Sequence, residues 1–133
     1  MSLTIPRRML EAVQNGSSVT DDAFVRVIHD SLHDAFHIVE HLAAQLFAYA
    51  PEVDLAVHAP ARMDDGPRGQ LLRLMASNAL RGAVERRFNV RLAFQNCHKV
   101  AAFRPEAVDG PAWKAFTSIE AQVLNQAPDS LDC

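Results

Sequence analysis

Between Thr20 and Ala50 the apolar residues recur at helical spacing rather than alternating. At about 100° per residue, Phe24, Val27, Ile28, Leu32, Ala35, Phe36, Val39, Leu42, Ala43 and Leu46 share one broad arc. Thr20, Asp21 and Asp22 offer an N-cap and place carboxylates at the positive end of the helix dipole. Pro51 closes the segment, because proline lacks an N–H and drives the residue before it out of the helical region. The pattern predicts one amphipathic helix of about 30 residues, long for a globular protein. Ala43–Gln45 is the place where such a rod would break.

The rest of the chain reads in shorter pieces. Ile5 to Gln14 predicts an opening helix with Thr4 as cap, Pro6 in the first turn, Met9, Leu10 and Val13 on its apolar side, and Gly16 as stop. Ser17 and Ser18 form a hinge into the long helix. Val53 to His58 alternates apolar and polar, the signature of a half-buried strand. After a loop rich in Pro, Gly and Asp, a helix is predicted from near Pro67 to Phe88, apolar over most of its circumference. Asn89–Phe94 and Lys99–Phe103 predict two more strands, joined through Gln95-Asn96-Cys97-His98. Asp109-Gly110-Pro111 opens a last helix with Trp113, Phe116, Ile119, Val123 and Leu124 turned inward, and residues 127–133 are expected to fray.

This order predicts an α+β fold. The β–α–β portion, about residues 53–94, should be a right-handed parallel crossover, with the third strand returning by hairpin. The result is a three-stranded mixed sheet covered by the long N-terminal helix and the C-terminal helix, since short strands cannot bury both faces alone. A length of 133 residues fits a single domain, with 1–18 as N-terminal helix and hinge.

Composition narrows the class. With 49% hydrophobic and 22% charged residues the chain is ordinary globular material. No uncharged stretch is long enough to span a bilayer, and Arg7 and Arg8 are not followed by an apolar leader segment. Two cysteines, Cys97 and Cys133, do not make a disulfide framework, so a reduced, cytoplasmic protein is expected. The net charge of −3 conceals an asymmetry: residues 1–61 carry −5, residues 62–104 carry +6 and residues 105–133 carry −4. Acidic ends should attract the basic middle, within one chain or between two.

Candidate chemistry centres on the helix pattern. Four of the six histidines, His29, His33, His37 and His41, recur every four residues beside Asp30, Asp34 and Glu40. Asp30 to His33 and Asp34 to His37 have the spacing at which helical neighbours touch. Such a face is a solvated surface, an interface with a protein partner or a second copy, or a metal site. As an interface it belongs to a homodimeric binding or accessory protein and would respond to pH, since imidazole titrates near neutrality. As a metal site it would use His33, His37, His41 and Asp34 in a metal-dependent enzyme or sensor. One straight helix, however, spreads its four rings over about 18 Å and cannot aim them all at one ion. No resident cofactor is expected unless that divalent metal is present.

Elsewhere the signals are thinner. Arg68, Arg73, Arg81, Arg86, Arg87 and Arg91 provide guanidinium groups suited to carboxylate or phosphate, and so a second alternative of nucleic-acid or anion binding. The net negative charge and their scatter around the helix count against nucleic acid. The loop Met63-Asp64-Asp65-Gly66-Pro67-Arg68-Gly69 follows a strand and opens a helix, yet matches no phosphate-loop pattern. Cys97 has His58 as a conceivable base, and the chain contains no G-x-S-x-G, H-E-x-x-H or C-x-x-C. No catalytic constellation emerges, and the sequence leaves open whether the protein is an enzyme.

Overall fold

The computed structural model describes residues 3–60, 64–96 and 99–126. Among them lie seven helices and three strands: α1 (Arg7–Gln14), α2 (Asp21–Ser31), α3 (His33–Ala48), β1 (Leu55–His58), α4 (Asp65–Ala76), α5 (Asn78–Phe88), β2 (Arg91–Gln95), β3 (Lys99–Phe103), α6 (Pro111–Phe116) and α7 (Ile119–Leu124). A single 3-10 turn, Pro105–Ala107, precedes α6. The fold is α+β. No helix among the described residues is long and apolar enough to cross a membrane.

The sheet order is β1-β3-β2, and both pairings are antiparallel. The expected mixed sheet is therefore not formed. β1 and β2 do run parallel, but β3 returns from β2 by hairpin and inserts between them, with Val57 opposite Ala101 and Ala93 opposite the same residue on the other side. This arrangement gives β3 antiparallel ladders on both edges, slightly more stable per residue than a parallel one. Val100, Ala101, Ala102 and Phe103 are accordingly fully buried.

One face of the sheet lies under α2 to α5. Ile28, Leu32, Val39, Leu42, Leu46, Leu71, Leu74 and Val84 join Ala56, Leu92, Val100 and Ala102 there. The other face is narrower, where Phe103 meets the edges of Trp113 and Phe116 at 4.9 and 5.8 Å between ring centroids. The expected apolar arc of residues 20–50 is buried nearly as read, Phe24 only partly.

Three expected helices are divided. The long rod breaks at Leu32, not near Ala43–Gln45: Leu32 takes φ −122° and ψ 53°, outside the helical region. Leu32 has no side chain to cap α3, and Gln70 of α4 does so instead. Its Oε1 accepts from the N–H groups of Asp34 (2.8 Å) and Ala35 (3.1 Å). The second expected helix breaks at Ser77, whose hydroxyl accepts from Leu80 N–H as the cap of α5. Arg81 secures that junction by donating to the Met75 carbonyl and the Asn78 side chain, both at 2.6 Å.

The last helix divides at Thr117–Ser118, with Ser118 capping α7. Polar bonds then hold α7 beside the β2–β3 turn: Gln122 Oε1 accepts from Asn96 N–H (3.0 Å), and the Asn125 amide donates to the Asn96 carbonyl. Consequently Ile119, Val123 and Leu124 face solvent, contrary to their expected inward placement. Phe47 is also exposed, with the Arg104 guanidinium 5.9 Å above its ring. The expected fraying of 127–133 lies outside the described residues.

Candidate metal centre

The break at Leu32 decides the geometry of the histidines. On an unbroken helix, residues 29 and 37 would stand about 12 Å apart along the axis. With α2 and α3 set at an angle, the three ring centroids form a compact triangle: His29–His33 5.3 Å, His33–His37 4.2 Å and His29–His37 5.8 Å. One ligating nitrogen from each can be chosen so that all three lie within 4.8 Å of one another. The rings are about half exposed, at 42%, 57% and 48% of the side chain.

Two of the three rings are oriented by a carboxylate. His29 Nδ1 donates to Asp30 Oδ1 at 2.9 Å, and His37 Nδ1 donates to Glu40 Oε1 at 3.0 Å. His33 Nδ1 stands 3.9 Å from Asp34 Oδ1, an ion-pair distance rather than a hydrogen bond. A carboxylate only accepts, so the two hydrogen bonds place the proton on Nδ1 of His29 and of His37 and leave their Nε2 atoms with a lone pair. Metal-bound histidines are held in this way, with the carboxylate fixing tautomer and ring direction.

The two Nε2 atoms of His33 and His37 then face each other at 2.9 Å. With no hydrogen bond on its Nδ1 among the described residues, His33 can carry its proton on Nε2 and donate it to the His37 Nε2 lone pair. A zinc ion can take that proton's place, since bonds of about 2.0–2.1 Å to tetrahedral nitrogen ligands place those nitrogens about 3.3 Å apart. Small ring rotations separate the two cases. Phe36 supports the site from the core side, its ring edge-on to His29 at 5.0 Å and tilted against Phe88 at 5.4 Å.

The membership differs from the expected set. His29 joins His33 and His37, whereas no group of three or more potential ligands among the described residues includes His41 or Asp34. His41 is exposed one turn further along α3, and Asp34 accepts from the Gln70 amide at 3.3 Å. Nothing local in the sequence marks the break that brings His29 in. Gln70, which fixes that break from another helix, carried no sequence signal.

The arginines do not converge. Arg86 forms a bidentate pair with Asp21 at 2.6 and 3.1 Å, Arg91 lies 3.4 Å from Glu85, Arg68 pairs with Asp65, and Arg81 is held at the α4–α5 junction. Arg73 and Arg87 are exposed. Asp64 is the N-cap residue of α4, but its side chain makes no capping bond. His58 ends β1 opposite Val100. Cys97 and His98 lie outside the described residues.

A family model described as NucS shadow ORF, with the label KH_NucS_shadow, matches residues 1–133, the whole chain. The chain belongs to that family. The description names no reaction and no ligand, so the chemistry rests on the residues themselves. No curated protein and no solved structure matches the chain.

Proposed function

We propose that this member of the NucS shadow ORF family is a small metal-binding accessory protein, with His29, His33 and His37 as the ligands. The observation that carries the reading is the combination of three convergent imidazoles with carboxylates on Nδ1 of His29 and His37. Three neutral nitrogen donors suit zinc, nickel, cobalt or copper rather than magnesium or calcium. A three-histidine set leaves a fourth position for water, a small ligand or a side chain of a second copy. The homodimer expected from the sequence is part of this reading, formed through the same helix face.

Zinc titration of the metal-free, untagged protein by calorimetry tests it. One zinc per chain is the expected stoichiometry, with a loss of at least about 100-fold in affinity for His33→Ala and His37→Ala, since each removes one of three bonds. Failure to take up zinc, nickel, cobalt or copper would overturn the reading. Light scattering on the same samples reports whether loading doubles the mass.

A second reading is favoured by the family label together with one sequence quartet. KH denotes an RNA-binding module in which a G-x-x-G loop clamps four backbone nucleotides. Gly66-Pro67-Arg68-Gly69 has that spacing, at the N-terminal end of α4. Neither Gly66 nor Gly69 has a positive φ, and added Cβ atoms would meet nothing within 4 Å. Anisotropy of a labelled single-stranded RNA tests this reading: binding that weakens steeply with salt and is lost in Arg68→Ala supports it, and no binding at 50 mM salt removes it.

A further inference from the structure

A pocket of about 640 Å³ opens directly beside the histidine triad, between α2, α3 and the end of α5. His29 forms part of its wall, as do Asp30 and Glu40, the carboxylates that hold His29 and His37. Two further groups in that wall have no assigned task. Arg26 and Arg87 are both exposed, and neither makes an ion pair or side-chain hydrogen bond among the described residues. Every other arginine of the basic middle segment but Arg73, among the described residues, is engaged with a protein acceptor or a carboxylate. Val25, Phe36 and Phe88 supply an apolar floor.

The charges in this wall depend on the metal. Two guanidinium groups face Asp22, Asp30 and Glu40, so the pocket carries a formal charge of −1 without metal. Asp30 and Glu40 are already occupied by imidazole N–H groups. A divalent ion on His29, the one ring of the triad in this wall, and on His33 and His37 turns the balance to +1. Metal and two forked donors on the rim of an apolar floor match a dianion with an organic body. The volume lies within the range of small-molecule sites and exceeds what a bare oxyanion fills.

We propose that this pocket binds a small phosphate monoester. One phosphoryl oxygen takes the open position on the metal, the others accept from Arg26 and Arg87, and the organic group covers Phe36 and Phe88. The inference rests on the metal reading above, and the experiment separates the two. Zinc uptake is measured first, by calorimetry with zinc alone. Phenyl phosphate is then titrated into zinc-loaded protein, metal-free protein and the zinc-loaded double variant R26Q/R87Q.

Zinc-loaded wild type should bind phenyl phosphate, with affinity lower by at least about tenfold in metal-free protein and in the double variant, each losing a charge-assisted contact. The double variant should take up zinc as wild type does, which also shows that it is folded. Equal phenyl phosphate affinity with and without zinc overturns the inference, as does full affinity in R26Q/R87Q. Zinc uptake without any phenyl phosphate binding overturns it while leaving the metal reading intact. No zinc uptake overturns both.

Discussion

A partner on one ring nitrogen fixes the tautomer and direction of a histidine ligand, and for His29 and His37 that partner is local. Asp30 follows His29 in sequence and Glu40 lies one turn after His37, so each Nδ1 finds its acceptor on its own helix. Removing either acceptor leaves the ring in place but free to rotate and change tautomer. Asp30→Asn and Glu40→Gln should each weaken zinc binding by about 10–100-fold, read by competition with a chromophoric chelator. His41→Ala should leave it unchanged, because that ring stands outside the triad. Zinc binding should also fade on acidification, since the ion and protons compete for the same Nε2 lone pairs. The sequence identified these residue types but paired Asp30 with His33 and Asp34 with His37, whereas Asp30 holds His29 and Glu40 holds His37. It selected His41 over His29 because an unbroken helix is the default extension of an unbroken apolar arc.

At the scale of the element, the break at Leu32 is what makes a site out of a repeat. No glycine or proline stands there to announce it; Ser31-Leu32-His33 reads as ordinary helix. The break is stabilised from a distance, by burial of Leu32 and by the Gln70 side-chain carbonyl, which accepts from the Asp34 and Ala35 N–H groups in the first turn of α3. Side-chain caps contribute about 1 kcal/mol. Gln70→Ala should therefore lower stability by roughly that amount, measured by urea unfolding, and should also weaken zinc binding although Gln70 touches no metal ligand. A stability loss with zinc affinity unchanged would show that the triad does not depend on the cap. The same kind of remote or polar bond explains the other misread elements. β3 takes the middle of the sheet because both its edges can pair antiparallel, a choice that strand patterns alone do not encode. α7 turns its apolar side outward because Gln122 and Asn125 bind Asn96. Periodicity located the strands and most of the core, since burial follows hydrophobic spacing directly. It could not locate junctions made by contacts between residues far apart in sequence.

Across the whole molecule, the alternation of acidic and basic segments has a structural use. Asp21 at the start of α2 belongs to the acidic N-terminal segment, and Arg86 near the end of α5 to the basic middle. Their bidentate contact joins two helices that flank the proposed phosphate pocket, 65 residues apart in sequence. The hydrogen bond from Arg86 holds the Asp21 carboxyl below its ordinary value of 3.8, the guanidinium charge adding to it and desolvation opposing it. The same contact raises Arg86 above its ordinary value, which has no consequence at ordinary pH because it stays protonated in both states. A carboxyl with a depressed value in the folded protein contributes stability that is fully present above its unfolded value. That contribution is lost as pH falls through the lower, folded value. Wild type should thus lose stability below about pH 4 more steeply than Asp21→Asn, which has no proton to take up at this position. The pair is exposed, with 57% and 62% of the side chains accessible, so the difference should be small and should shrink further in 1 M salt. Urea midpoints for both proteins at pH 6, 4 and 3, with and without salt, measure it. Parallel curves would mean that the contact is not populated in solution and that the junction of α2 with α5 rests on apolar packing alone.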